Sequence, residues 1–257
     1  MLTMVIKNCM KWSDTMDAIR IEGLTKCYKD VIAVDDLHLS IHKGELFSLL
    51  GVNGAGKTTT IKMLSTLTKP TKGDALLHGK SICRDSADVK KMIAVSPQET
   101  AVAPCLSVRE NLKLMGGIHG FSREKQDEKI KELTLLLGLD SVMEKKAGKL
   151  SGGWQRRLSI AMALISEPVI LFLDEPTLGL DVLARSDLWD IIRSLKGRVT
   201  IILTTHYMEE AEALSDRIGI MKDGRLLICE TADKIKEAAG EDTFERAFIR
   251  IVKGVEK

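Results

Sequence analysis

Short apolar runs rich in Val, Ile and Leu alternate with stretches of helical periodicity along most of the chain. The runs predict strands at 47–50, 92–95, 169–173, 200–203 and 218–221. The run VILFL at 169–173 has no polar alternation, which is typical of a strand in a parallel sheet that helices cover on both faces. Strands that alternate with helices indicate an α/β domain.

Two regions depart from this pattern. The segment LHLSI, 37–41, alternates apolar and polar positions and predicts a half-exposed strand of an antiparallel sheet. From about 106 to 165 the pattern is helical throughout. Ser107 and Glu110 have the spacing of a capping box, and Ser122 fits the N-cap of a further helix. We therefore predict an α/β core with an N-terminal antiparallel β subdomain and an inserted all-helical subdomain.

Composition excludes several classes of protein. The 38 basic and 36 acidic residues give a net charge of only +2, without the strongly basic surface of a nucleic-acid-binding domain. The five cysteines are scattered and form no Cys-x-x-Cys pair, so we expect neither a disulfide framework nor a zinc site, and a reducing, cytosolic setting. We also expect no membrane span and no secretory signal, because apolar runs of the necessary length are missing.

The segment GVNGAGKTT, 51–59, follows one predicted strand directly and precedes a helical stretch. In that context it matches G-x-x-x-x-G-K-[ST], a loop whose glycines let backbone amides surround nucleotide phosphates. We expect Lys57 to reach the β- and γ-phosphates and Thr58 to ligate Mg²⁺. The other residues of this predicted phosphate site are Gly51, Asn53, Gly54, Ala55, Gly56 and Thr59.

Candidate catalytic side chains stand at the ends of other predicted strands. Asp174, in VILFLDEP, follows a buried strand, where open α/β sheets bind ligands, and we expect it to hold the hydration shell of Mg²⁺. Glu175 comes next and is a candidate general base for an attacking water. His206 ends the run TIILTTH and Gln98 follows IAVSP; the residue patterns do not distinguish a catalytic from a structural role for either.

A second candidate anion site lies in KLSGGWQRR, 149–157. A helical pattern starts there on Ser151, Gly152 and Gly153, although glycine is a poor helix former. A helix N-terminus with a serine hydroxyl and bare amides binds anions. Since the loop at 51–59 already surrounds one terminal phosphate, we infer that this site faces a nucleotide held by another copy. Two copies, head to tail, would enclose two ATP molecules in an isologous dimer.

These motifs, taken in order, make the chain resemble the ATP-binding subunit of an ATP-binding cassette (ABC) transporter over about residues 18–230. They are GVNGAGKTT, Gln98, LSGGWQRR, VILFLDEP, LGLD and TTH. The resemblance implies a P-loop NTPase (RecA-like) core. It also implies that Tyr28 stacks on adenine and that Gln98 senses Mg²⁺ and the attacking water. It further implies that Asp181 connects the two sites of the dimer and that His206 contacts the γ-phosphate.

The same resemblance divides the chain into parts. An N-terminal extension, 1–17, precedes the first part of the ATP-binding core, 18–97. The helical subdomain, 98–165, carries the LSGGWQRR segment, and the second part of the core, 166–231, is followed by a C-terminal tail, 232–257.

The resemblance implies an ATPase that uses ATP and Mg²⁺ to drive a separate transmembrane permease. Its partners would be that permease and a second ATPase subunit, most simply an identical copy, with no nucleic acid. EPTLGLDVLAR and TFERAFIRI are similar to the ATPases of drug, antibiotic and polysaccharide exporters with ABC-2 permeases, so export is expected. The chain would lie at the cytoplasmic face of the cell membrane, held there by its permease.

Two alternatives have different sequence requirements. A soluble ABC ATPase of assembly or repair usually carries two cassettes or long heptad repeats, and the sequence has one cassette and no such heptads. A P-loop kinase would account for GVNGAGKTT but leaves LSGGWQRR without a purpose.

Overall fold

The computed structural model describes residues 17–254, so the predicted N-terminal extension lies outside the described residues except for Asp17. The described strands are β1 (Asp17–Tyr28), β2 (Val31–His42), β3 (Leu46–Gly51), β4 (Lys72–Leu77), β5 (Lys80–Ser81), β6 (Ile93–Ser96), β7 (Ile170–Asp174), β8 (Thr200–Thr205), β9 (Arg217–Lys222) and β10 (Arg225–Glu230). The described α-helices are α1 (Lys57–Leu64), α2 (Ser86–Met92), α3 (Val108–Ile118), α4 (Arg123–Leu137), α5 (Gly152–Leu164), α6 (Val182–Leu195), α7 (Met208–Leu214), α8 (Ala232–Ala239) and α9 (Phe244–Lys253).

The larger sheet has the strand order β10-β9-β3-β8-β7-β6. Its strands are parallel except β10, which pairs antiparallel with β9. Every residue of β7 is buried, and its side chains alternate between two core clusters: Leu171 belongs to one and Phe172 to the other. The prediction of a parallel sheet covered on both faces is therefore confirmed. Because β3, β7 and β8 are parallel, the segments that follow them emerge at one edge.

The smaller sheet has the order β2-β1-β4-β5, and its strand pairs are antiparallel. In β2, Leu37, Leu39 and Ile41 are buried while His38 is exposed, as the alternation predicts. This buried face packs into the same cluster as Ile61 of α1. The antiparallel sheet thus covers the side of the core from which the 51–59 loop leads into α1.

Helices α3, α4 and α5 form the insert. Ser107 and Glu110 make the predicted capping box, and Ser122 accepts a hydrogen bond from the Lys125 amide at the start of α4. The expectation of helical structure throughout 106–165 is wrong for 138–151. There the chain leaves α4 through Gly138, at φ 62°, and makes two short 3-10 turns before α5. The segment still buries apolar residues at helix-like intervals, which explains the misleading periodicity: Leu139, Val142, Met143 and Ala147.

All five strands predicted from apolar runs are found with ends shifted by at most two residues, and two of them begin one residue later than predicted. Met92 ends α2, and β6 starts one residue later. Val169 precedes β7 and is 43% exposed, and its amide donates to the Met92 carbonyl across the edge of the sheet. Apolar side chains at both positions extend the sequence pattern beyond the ladder hydrogen bonds that define the strands.

Two helices follow β10 and belong to the folded core. Ile235 of α8 and Phe244 and Phe248 of α9 are buried in one cluster with Ile220 of β9. The Lys222 ammonium donates to the Val252 carbonyl at the end of α9. The C-terminal segment therefore stabilises the edge of the larger sheet.

Candidate functional site

The loop between β3 and α1 is shaped by two glycines that no other residue can replace. Gly56, at φ 102°, is the N-cap of α1, and a Cβ there would lie 2.4 Å from the Ala33 carbonyl oxygen. A Cβ on Gly51 would lie 2.4 Å from the carbonyl oxygen of Met221. No described side chain caps α1, so its first amides remain available to an anion at its positive end.

Lys57 is buried although it carries a charge. Its Nζ donates to the carbonyl oxygens of Gly51 at 2.8 Å and Val52 at 3.3 Å, and lies 3.4 Å from Glu175 Oε1. A buried ammonium needs such partners, because its desolvation costs several kcal/mol. These contacts fix the positive charge between the loop and the end of β7.

Asp174 and Thr58 meet where β7 ends. The Thr58 hydroxyl donates to Asp174 Oδ1 at 3.2 Å, and the Thr204 hydroxyl donates to the same oxygen. A carboxylate beside a hydroxyl supplies the hard oxygen ligands that Mg²⁺ prefers, so these residues fit that ion. Thr204 was missed in the sequence analysis, although it stands in the TTH segment that ends at His206.

Glu175 has an unusual backbone conformation. Its φ is 49°, in the left-handed region that non-glycine residues seldom adopt, and its amide donates to the carbonyl and hydroxyl oxygens of Thr204, both at 3.1 Å. Its Oε2 lies 2.7 Å from His206 Nδ1. Strained conformations of this kind persist where the surroundings fix them, which is common at active sites. In this conformation the carboxylate reaches both Lys57 and His206.

A cleft of about 450 Å³ opens over the loop. It is lined by Tyr28, Ala33, Asn53, Gly54, Ala55, Gly56, Lys57, Thr58, Thr59, Gln98, Glu175, Leu178 and His206. The fold therefore brings together the residues that were predicted to contact the adenine, the phosphates, the Mg²⁺ ion and the attacking water at one nucleotide site. Asp174 lies behind Thr58, and Gly51 lies beneath the loop at the end of β3.

The remaining predicted residues form a separate exposed cluster. Ser151 is the N-cap of α5, yet its side chain accepts no capping hydrogen bond within the described chain. A Cβ on Gly153 would lie 3.0 Å from the Cβ of Ala184, and the Ala184 amide donates to Asp181, the N-cap of α6, at 2.9 Å. The starts of α5 and α6 therefore lie side by side. Ser151, Gly152, Gly153 and Asp181 do not line the cleft.

Two further buried charged residues lie near the site, and the sequence analysis assigned a role to neither, although Arg156 stands in the LSGGWQRR segment. Arg156, on α5, is 4% exposed and donates from Nη1 and Nη2 to the carbonyl oxygens of Pro97 and Gln98, both at 2.6 Å. Glu210, on α7, is fully buried and accepts from the Trp189 indole at 3.1 Å. Burial raises the pKa of Glu210, against the smaller opposing effect of hydrogen bonds from Thr205, Thr177 and Trp189.

Between residues 17 and 254, the structure contains no helix that combines the length and apolarity needed to cross a membrane.

Known proteins resemble the chain over most of its length. The family described as ABC transporter matches residues 34–178, more than half of the chain. Phospholipid-transporting ATPase ABCA3 of Homo sapiens is 40% identical over 231 residues, which are 88% of this chain and 14% of that protein. Doxorubicin resistance ATP-binding protein DrrA of Mycobacterium tuberculosis is 40% identical over 230 residues, 88% of this chain and 69% of that protein.

A solved structure has the same fold over most of its length. The dimeric ATP-binding cassette MJ0796, in a post-hydrolysis state bound to ADP and Pi, is 27% identical and has a TM-score of 0.74. The match covers 83% of this chain and 98% of that one. The family match and the likeness to curated relatives and to this structure agree, so the chain belongs to the ABC transporter family and is an ATP-binding ATPase of that family.

Proposed function

We propose that the chain is the ATP-hydrolysing subunit of an exporter and that it drives a separate transmembrane permease. The observation that carries the proposal is the convergence of Lys57, Glu175 and His206 on one cleft beside the Thr58–Asp174 pair. Such a constellation combines phosphate binding with a positioned base, which is what phosphoryl transfer to water needs. A kinase would need an acceptor site in place of the second anion site at Ser151.

Different residues of the cleft contact different parts of the nucleotide. The exposed ring of Tyr28 stacks on the adenine, and the amides from Asn53 to Thr59 bind the phosphates. Lys57 supplies the charge opposite the β- and γ-phosphates. Thr58, Asp174 and Gln98 would hold Mg²⁺, which would neutralise the charge that develops on the phosphate oxygens during transfer.

Glu175 acts as the general base. It takes a proton from the water that attacks the γ-phosphorus, while the bond from that phosphorus to the β,γ-bridging oxygen breaks. The bond from His206 Nδ1, at 2.7 Å, holds the carboxylate in place, and the ring itself lines the cleft where the γ-phosphate lies. The low exposure of Glu175 strengthens these electrostatic contacts.

A second copy completes the site. The start of α5, with its uncapped Ser151 and the amide of Gly153, binds the γ-phosphate of a nucleotide held in the partner's cleft. Asp181, beside it, connects the two sites across the dimer. The dimeric state of MJ0796 supports this arrangement. ATP then closes the dimer, and hydrolysis removes the bridging phosphate and opens it.

The names of the relatives support an export role. DrrA is a doxorubicin resistance ATP-binding protein and ABCA3 is a phospholipid-transporting ATPase. One name concerns resistance to a drug and the other the transport of a phospholipid, and DrrA is named as an ATP-binding protein in its own right. We therefore assign this chain to the cytoplasmic face of the membrane, where it would be held by its permease.

The test is recovery of the partner. The tagged full chain is purified from gently solubilised membranes of its own host, and co-purifying proteins are identified by mass spectrometry. Glu175→Gln and Lys57→Ala variants serve as a matched pair that favours and disfavours the closed dimer. We expect a stoichiometric multi-span protein with each. A clean soluble homodimer without any membrane protein would instead support an ABC ATPase of assembly or repair.

A further inference from the structure

Arg156 links α5 to the segment that carries Gln98. Its guanidinium spans two successive carbonyl groups, those of Pro97 and Gln98, with two bonds of 2.6 Å. One turn further along α5, the Ser159 hydroxyl lies 3.0 Å from the Ser96 hydroxyl, and both residues are buried. Three consecutive residues, the last residue of β6 and the two that follow it, are thus bonded to one face of α5.

Such a link is energetically expensive to place inside a protein. Desolvation lowers the pKa of Arg156, against the opposing effect of the Asp174 and Glu210 carboxylates nearby. A buried guanidinium is tolerated when its donors are satisfied in their fixed planar geometry. The two carbonyls match that geometry, whereas the single ammonium of a lysine does not match it. The contact therefore favours arginine specifically.

The link joins two functional positions of one chain. Gln98 lines the cleft, while Ser151, five residues before Arg156, starts the helix that faces the partner's nucleotide. Five residues of helix correspond to roughly 7–8 Å, so Arg156 and the start of α5 move as one rigid unit. A displacement of Gln98 by the nucleotide in the cleft would reach the start of α5 through this side chain.

We propose that Arg156 is a positioning residue that holds Gln98 in register with the start of α5. Through it, occupancy of the chain's own cleft sets the position of Ser151 toward the nucleotide of the second copy. This inference rests on the proposed function. It predicts a defect in turnover that depends on the Gln98 side chain, whereas a purely structural anchor would impair folding without such dependence.

The chain offers a matched control. Arg157, the next residue, pairs with Asp187 at 2.7 Å, and its guanidinium lies 4.8 Å from the centroid of the Trp154 ring. Arg157→Met removes the same charge and the same number of donors from the same helix. Arg156→Lys keeps the charge but replaces the planar fork with a single ammonium.

The experiment measures the ATPase kcat and KM, the affinity of the chain for a fluorescent ATP analogue, and the melting temperature. We expect Arg156→Met to lower kcat about tenfold or more while analogue affinity stays within about threefold of wild type. Arg156→Lys should give an intermediate kcat, and Arg157→Met a kcat within about twofold of wild type. In a Gln98→Ala background, Arg156→Met should lower kcat by less than about twofold, because the group that it positions is already missing.

Two results would overturn the inference. One is a kcat of Arg156→Met that equals the kcat of Arg157→Met. The other is a double variant, Arg156→Met with Gln98→Ala, whose fold-loss in kcat equals the product of the fold-losses of the two single variants. If Arg156→Met does not fold, Arg156→Lys takes its place in the cycle with the same criteria. A wild-type chain that hydrolyses ATP, together with an inactive Lys57→Ala, supports the ATPase part of the proposed function independently of either result, and recovery of the permease tests the rest.

Discussion

The ammonium of Lys57 lies 3.4 Å from Oε1 of Glu175, while Nδ1 of His206 lies 2.7 Å from Oε2 of the same carboxylate. Lys57 and Glu175 are 5% and 7% exposed. One carboxylate is therefore held at both oxygens in a place that water hardly reaches. Truncating one member of a buried ion pair lowers stability more than replacing it with a neutral group of the same shape. Glu175 is therefore replaced by glutamine, whereas Lys57 is truncated to alanine to remove its charge from the phosphate site.

Glu175→Gln should separate binding from hydrolysis. The amide has the shape of the carboxylate but cannot take a proton from water, so we expect kcat to fall about a hundredfold or more with ATP still bound. The closed dimer should accumulate. Turnover assays and light scattering with ATP check this result. A chain that remains monomeric at ATP concentrations well above the Kd for ATP would contradict a nucleotide site shared between two copies.

Lys57→Ala should remove nucleotide binding. Its Nζ is the cation that the P-loop and Glu175 hold at the phosphate end of the cleft, so we expect at least a tenfold loss of affinity and loss of most turnover. Lys62→Ala, on the exposed face of α1, is the matched control and should leave affinity unchanged. Near-normal turnover of Lys57→Ala would refute the assignment of the loop.

Thr204→Val should weaken the Mg²⁺ site through the loss of a hydrogen bond to Asp174. The Thr204 hydroxyl bonds to Asp174 Oδ1 and accepts from the Glu175 amide at 3.1 Å. Its removal leaves a buried carboxylate oxygen with one bond fewer, which we expect to lower the free energy of unfolding by about 1–3 kcal/mol and to raise the Mg²⁺ concentration needed for half-maximal turnover. Thr204→Ser keeps the hydroxyl and should behave like wild type. Equal unfolding free energies for the Val and Ser variants would show that the bond contributes nothing.

Ser151→Arg should impair turnover but not the binding of ATP to a single copy. Ser151 is exposed and lies outside the cleft, and the larger side chain would occupy the place of the partner's γ-phosphate. Ser122→Arg, at another exposed N-cap of the helical insert, provides the control. A parallel loss of affinity and turnover in Ser151→Arg would place the serine in the chain's own cleft instead.

The residues that carry the chemistry of the site were more predictable from the sequence than the residues that hold them in position. Lys57, Asp174 and Glu175 stand in continuous motifs at strand ends, and parallel strands bring those ends together whatever the loops do. Arg156 and the Gln98 carbonyl are 58 residues apart in the chain, and neither sequence segment indicates that the two groups are in contact. The same limit applies to the segment 138–151, where tertiary packing of apolar side chains imitates a helical period.

Glu210 should make stability depend on pH. It is fully buried, and desolvation raises its pKa against the smaller opposing effect of hydrogen bonds from Thr205, Thr177 and Trp189. In the unfolded chain the carboxyl ionises near its ordinary pKa of about 4.3, whereas the folded chain keeps the proton to higher pH. The stability that the protonated form provides is therefore complete below that value and is lost as pH rises through the folded pKa.

Glu210→Gln imitates the protonated form, so the free energy of unfolding of the variant minus that of wild type should increase from pH 5 to pH 8. Urea unfolding at both values measures the difference, in which the titration of all other groups largely cancels. Glu209→Gln is the control, since the Glu209 side chain is 83% exposed on the same helix. A Glu210→Gln difference as independent of pH as that of Glu209→Gln would mean that Glu210 ionises alike in the folded and unfolded chain. The carboxylate behind the catalytic pair would then be charged at neutral pH, and its repulsion would act directly on Glu175.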